Sequence, residues 1–138
     1  MKKLLLGTIL SLCIFAASTP AYAHHAFAAE YDASKPVTLH GKLTKLSWVN
    51  PHGWIYVAVT NPDKSVTNWA VEFGGPNALL RRGLRETDFP IGIDLTVNGY
   101  LAKNGQKIIN GTSVKLPDGR SLFTGSVGTG APGDPGVD

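Results

Sequence analysis

Apolar and polar side chains alternate with a two-residue period through the middle of this chain. Between Val37 and Trp48, the apolar Val37, Leu39 and Leu43 are interleaved with Thr38, His40, Lys42 and Thr44, the pattern of a half-buried strand. Leu46 and Trp48 fall on the opposite parity, so a β-bulge is expected near Thr44 or Lys45, a device that bends strands. Asn50-Pro51-His52-Gly53 breaks the strand as a turn. Trp54 to Val59 reads as a second strand, Asn61 to Ser65 as a hairpin loop, and Val66 to Phe73 as a third strand.

The pattern then switches. Gly74-Gly75 ends the third strand, Pro76 suits a first helical turn, and Asn77 to Arg82 supplies one or two turns closed by Gly83. Ile93, Leu95 and Val97 alternate with Asp94, Thr96 and Asn98 in a fourth strand. Asn104-Gly105 is a hairpin signal. Lys107 to Leu116 is a fifth strand, and Pro117 to Arg120 turns the chain toward a short apolar end at Leu122-Phe123. Three strands, a short helix and two more strands predict an all-β fold, a small five-stranded OB-like Greek-key barrel over residues 37–124. Residues 125–138 carry almost no large apolar side chain and are expected to be disordered.

The first 23 residues follow a different logic. Lys2 and Lys3 precede an uncharged, mostly apolar run from Leu4 to Ala17, and Ser18 to Ala23 supply small residues around an A-x-A site. This is the layout of a secretory signal peptide, cut between Ala23 and His24. A cut after Ala21 is the competing choice and would leave Tyr22-Ala23-His24 at the terminus. The apolar run falls short of the ~20 residues a spanning helix needs, so no transmembrane span is expected in the mature chain. Leu12 stands before Cys13 where a lipoprotein signal wants a small residue. The expected location is the periplasm or the exterior, and residues 24–36 read as an N-terminal arm ahead of the barrel.

Removing the signal changes the charge. The whole chain has 13 Lys and Arg against 10 Asp and Glu, net +3; losing Lys2 and Lys3 leaves 11 against 10, net +1. That is no clustered basic excess, so a nucleic-acid partner is not expected. Cys13 leaves as well, so the mature protein has neither disulfide nor thiolate chemistry.

Several short motifs stand along the chain: His24-His25-Ala26-Phe27, Tyr31-Asp32 with Lys35-Pro36-Val37, Trp48-Val49-Asn50-Pro51-His52 with Trp54, and Asn68-Trp69-Ala70-Val71-Glu72. Pro76-Asn77-Ala78-Leu79 with Arg81-Arg82-Gly83, and Leu116-Pro117-Asp118-Gly119-Arg120, complete the set. With them the chain resembles a family of small exported bacterial proteins of unknown function. The resemblance implies class and export and supplies no activity.

Chemistry must therefore come from the residues. A terminus at His24 offers an amine and an imidazole in one chelate, and a second imidazole opposite completes a three-nitrogen brace that suits Cu(II). His52, projected from a turn between Trp48 and Trp54, is the expected second ligand and His25 the next. Histidines that only cap a turn or sit on a mobile start are the plainer alternative. His40 lies mid-strand on the polar parity and reads as exposed. Glu72 has the parity opposite Trp69, Val71 and Phe73; it faces solvent by default, or else serves as an axial ligand or orients a histidine ring. Trp48, Trp54, Tyr56 and Trp69 pack in the core or line the aromatic face of an OB-type ligand site. Arg81, Arg82 and Arg85 read as a solvated helix face, with anion binding the alternative.

Three functions follow. The first is a periplasmic copper-binding protein with a carrier or buffer role, exchanging its ion with an unidentified periplasmic donor or acceptor. The second is a binding module for a small ligand, an oligosaccharide or a protein, without a metal. The third is an oxidative copper enzyme using the same site, the least expected, because it needs a reductant and an oxygen species and the sequence identifies no substrate surface. A nucleophile elbow, a zinc-protease motif and a Walker loop are also missing.

Overall fold

The computed structural model describes residues 27–126 and 131–132. The signal segment, its cut, His24 and His25 lie outside the described residues. Six strands are described: β1 (Tyr31–Ser47), β2 (His52–Thr60), β3 (Val66–Gly74), β4 (Asp94–Ala102), β5 (Ile108–Lys115) and β6 (Ser121–Phe123). A short helix α1 (Pro76–Arg81) and a 3-10 turn (Glu86–Asp88) connect β3 to β4. The fold is all-β. Among the described residues no helix is long and apolar enough to cross a membrane.

The strand pairings return on themselves. β1 pairs antiparallel with β2, β2 with β3, and β4 with both β1 and β5. A parallel pairing of Ala70, Val71 and Glu72 with Ile108, Ile109 and Asn110 joins β3 to β5 and completes the circuit. The sixth strand, β6, adds to the outer side of β5 through Ser113, Val114 and Lys115. The expected five strands omit it, because three residues are too few for alternation to register.

β1 is the strand that makes the circuit possible. Its first part pairs with β4 and its second with β2, and Lys42 is shared between Ala58 and Asp94. The register shifts between Leu43 and Lys45, leaving Thr44 as the extra residue, so the bulge lies where the change of parity places it. Gly41 sits at this crossing. A Cβ there would meet the Ala58 carbonyl oxygen at 2.3 Å and Val57 Cγ1 at 2.8 Å, so only glycine admits the close approach of the two backbones.

The interior is filled from every strand and from the β3–β4 connection. Leu39, Leu43, Ile55, Val57, Val71, Phe73, Leu79, Leu84, Phe89, Val97, Ile109 and Val114 are all buried in one cluster. Trp48 packs its ring on Phe89 at 5.9 Å, at the margin of this core.

Two boundaries differ from the pattern-based expectation. β1 starts at Tyr31 instead of Val37, so residues 31–36 of the expected arm are part of the sheet. Residues 32–36 show no alternation, and what holds this stretch is a second apolar cluster of Phe27, Tyr31, Ala102 and Ala131, against which Tyr100 packs. Tyr31 pairs with Ala102 and Pro36 with Tyr100. β2 starts at His52 instead of Trp54, so His52 is the first residue of a strand, paired with Gly74. Within the expected disordered tail, the described positions are held: the Gly125 carbonyl accepts a hydrogen bond from Arg82 at 2.6 Å, and Ala131 is buried in the second cluster.

Candidate functional site

His52 and Glu72 share a face because of register. Trp54 pairs with Glu72 and His52 with Gly74, so the histidine and the carboxylate are diagonal neighbours on adjacent strands, within reach for long side chains. His52 Nδ1 lies 2.7 Å from Glu72 Oε1. The contact has hydrogen-bond length without hydrogen-bond alignment, so it is an electrostatic one. Nδ1 is sheltered from solvent while the side chain as a whole is 44% exposed. The exposure therefore belongs to the rest of the ring.

The turn before His52 is anchored to the start of α1. A Cβ on Gly75 would come within 2.5 Å of the Pro51 carbonyl oxygen and 2.6 Å of Asn50 Oδ1. Glycine here lets the Asn50-Pro51 turn, whose peptide bond is cis, lie directly on the chain entering the helix. The strand entry that carries His52 is thereby fixed from both sides.

Glu72 has a second partner. The Tyr31 hydroxyl donates to its Oε2, and with both oxygens engaged the Glu72 side chain is only 12% exposed. Its parity is outward, as the sequence predicts, but outward is not solvent here, because β1 and the helical residues 27–30 cover that part of the sheet. The phenol of Tyr31 is pushed far above its ordinary range, first by burial, then by the hydrogen bond to Glu72 and the negative charges of Glu72 and Glu30.

Phe27, Glu30, Tyr31, His52, Glu72, Asn110 and Ser126 line a cleft of about 90 Å³. Asn110, paired with Glu72 across the parallel junction, is 6% exposed, and its Oδ1 has no hydrogen-bond partner. Beside this cleft, and sharing Glu30 and Tyr31 with it, lies a wider trough of about 480 Å³ walled by Trp54, Ala102 and Ile108.

The remaining expected site residues disperse. Tyr56 pairs with Ala70 on the outer face, whereas Trp69 pairs with Val57 on the face that packs against the core. Tyr56 and Trp69 therefore do not form one ligand face; each is half-buried beneath a lysine, Lys45 over Tyr56 at 5.0 Å and Lys107 over Trp69 at 5.1 Å. Trp48 belongs to the Phe89 contact and does not line the His52 cleft. Trp54 stands next to Glu72 in the pairing and walls the trough. His40 is exposed, its Nδ1 at 3.0 Å from Thr96 Oγ1. Among the described residues, no group of three or more His, Cys, Asp or Glu is placed to hold a metal ion. Tyr31 and Asn110 are site residues the sequence reading did not single out. Tyr31 had a signal in the Tyr31-Asp32 motif; Asn110, mid-strand in β5, had none.

The chain matches, over residues 12–112, the family described as a family of unknown function (DUF6152). It belongs to that family. No curated protein matches it, and no solved structure does.

Proposed function

We propose that this protein is an exported, periplasmic metal-binding protein that holds Cu(II) between His52 and a processed amino terminus at His24, with His25 as a further ligand, in a carrier or buffer role. The observation that carries the reading is the contact of His52 Nδ1 with Glu72. A carboxylate beside one ring nitrogen leaves the other nitrogen to a metal, and a small turn of the ring would align the contact as the hydrogen bond that usually supports a histidine ligand. Tyr31, bonded to the far oxygen of Glu72, holds the carboxylate in turn.

Chain length supports the second ligand. Phe27 lines the same cleft as His52, and His24 lies three positions before it, a reach of at most ~10 Å. The circuit β1-β2-β3-β5-β4-β1, with its helix between β3 and β4, favours an OB-like Greek-key barrel of five strands as the scaffold, with β6 an addition.

A second reading draws on the trough beside the site. Trp54, Ala102 and Ile108 present apolar surface there, suited to an organic ligand or a peptide, and a metal-free binding module would use it. Copper EPR on protein exported and processed in a bacterial host, with the terminus verified by intact mass, separates the two. A stoichiometric signal with two or three nitrogen ligands, lost on changing His24 and weakened in His52→Ala, supports the metal. An adventitious signal unchanged by either substitution sinks it.

A further inference from the structure

The cleft beside His52 carries two carboxylates and two further acceptor oxygens, facing the His52 ring, the Ser126 hydroxyl and the apolar Phe27. Glu72 and Glu30 contribute carboxylates, and the Tyr31 hydroxyl, whose hydrogen is already engaged in the bond it donates to Glu72, offers its oxygen. Asn110 Oδ1 is a buried acceptor with no partner, a state that costs free energy unless a donor arrives. At about 90 Å³ the space takes the tip of a chain or a few waters, each water occupying ~30 Å³. A carboxylate or phosphate would be set against the charges of Glu30 and Glu72. Among the described residues no group of three or more His, Cys, Asp or Glu is placed there to hold a metal ion.

We infer that this cleft is a seat for a primary ammonium group, whose three N–H donors match Asn110 Oδ1, the Glu72 carboxylate and the Tyr31 oxygen. Two sources carry that chemistry: the mature chain's own amino terminus, three residues before Phe27 on the wall of the cleft, and a free small amine. The inference shares the cleft and the N-terminal cut with the copper reading, and it adds a condition to it. A seated ammonium must lose its proton before it ligates a metal, so copper affinity rises with pH as the amine is released.

Two titrations test the seat on the exported, processed protein. In the first, competitive acetylation against pH, read by mass spectrometry of the N-terminal peptide, gives the proton affinity of the α-amine. It is expected about tenfold above that of an ordinary terminus, which titrates near 8. In Asn110→Leu it returns toward the ordinary value, and in Asn110→Asp, where the acceptor gains charge, it does not fall. In the second, ethylammonium chloride is titrated against the protein under NMR, with tetramethylammonium, a cation without N–H donors, as control.

A raised α-amine that responds to Asn110→Leu assigns the seat to the terminus. An ordinary α-amine with saturable, ethylammonium-specific shifts at Asn110 and Glu72 assigns it to a free amine. An ordinary α-amine with no such shifts overturns the inference, as does a raised α-amine indifferent to both Asn110 variants. Copper EPR on the same samples reads the metal proposal separately: bound copper beside an ordinary amine retains the metal and removes the seat, and the reverse result does the opposite.

Discussion

Glu72 holds two residues at once: its Oε1 lies 2.7 Å from His52 Nδ1 and its Oε2 accepts the Tyr31 hydroxyl. The three side chains come from β2, β3 and the first residue of β1. One carboxylate therefore ties the N-terminal end of the sheet to the strand entry that carries the histidine. Its dual role sets how the site responds to substitution.

In Glu72→Gln the amide keeps the shape and loses the charge that faces the ring. If His52 ligates copper, Cu(II) affinity of the processed protein is expected to fall ~10–100-fold, the usual cost of losing a partner that orients a ligand. Isothermal titration with a competing chelator measures it. An unchanged affinity, with the fold intact by circular dichroism, removes Glu72 from the metal site.

Tyr31→Phe removes a buried hydroxyl and leaves Glu72 Oε2 with one partner fewer. The expected loss is about 1–3 kcal/mol of unfolding free energy, read from urea denaturation. A loss below a few tenths of a kcal/mol would show that Glu72 is satisfied by water instead.

The same phenol gives a pH dependence with a definite sign. Folded Tyr31 keeps its proton far above 10.0, the ordinary value at which the unfolded chain releases it. Its stabilising contribution is thus complete below about pH 10 and declines as pH rises beyond it, because the unfolded state is then the one that sheds the proton. Absorbance at 295 nm checks this: in alkali the wild type and Tyr31→Phe should show the same native ionisation amplitude, and the wild type one additional tyrosine on unfolding.

The sheet was legible because alternation and turn chemistry are local. The bulge in β1 could be placed to within a residue, since Leu43 and Leu46 both seek the interior and only an extra residue reconciles them. The site was half legible. His52 stands out as a rare residue after a turn, but Glu72 has the parity of a solvent-facing position, and only the packing of Phe27 and Tyr31 over that face makes it a sheltered one. Burial created by a distant segment leaves no period in the sequence. Asn110 was invisible for the same reason, since its environment depends on the parallel pairing of β3 with β5 across a long separation. The aromatic face failed on register: Tyr56 and Trp69 are similar in kind, but they sit on strands paired so that they point to opposite sides.

Gly41→Ala tests the crossing in β1. The added methyl would lie 2.3 Å from the Ala58 carbonyl oxygen, and since that atom is backbone, a strand must move. The expected cost is at least about 1–3 kcal/mol, the range for overpacking a filled interior. For a domain of this size it lowers the melting temperature by roughly 4–8 °C per kcal/mol. A melting temperature within a degree of wild type would mean that β1 and β2 separate easily at this point.

His40 supplies the control for the histidine chemistry. Both described histidines sit in strands, and both have Nδ1 near an oxygen: Thr96 Oγ1 at 3.0 Å for His40, Glu72 Oε1 at 2.7 Å for His52. They differ in surroundings, for His40 is exposed on the rim of a broad groove with no described carboxylate against its ring, while His52 adjoins a sheltered carboxylate and the cleft that Phe27 lines. Surface binding by single imidazoles would treat the two alike. A built site would not. His40→Ala is therefore expected to leave Cu(II) stoichiometry and affinity unchanged, and His52→Ala to weaken affinity at least ~10-fold, as loss of a ligand costs no less than loss of the partner behind it. Equal effects from the two substitutions, measured in the same chelator competition, would mark the copper as adventitious and leave the trough beside Trp54 as the surface to probe.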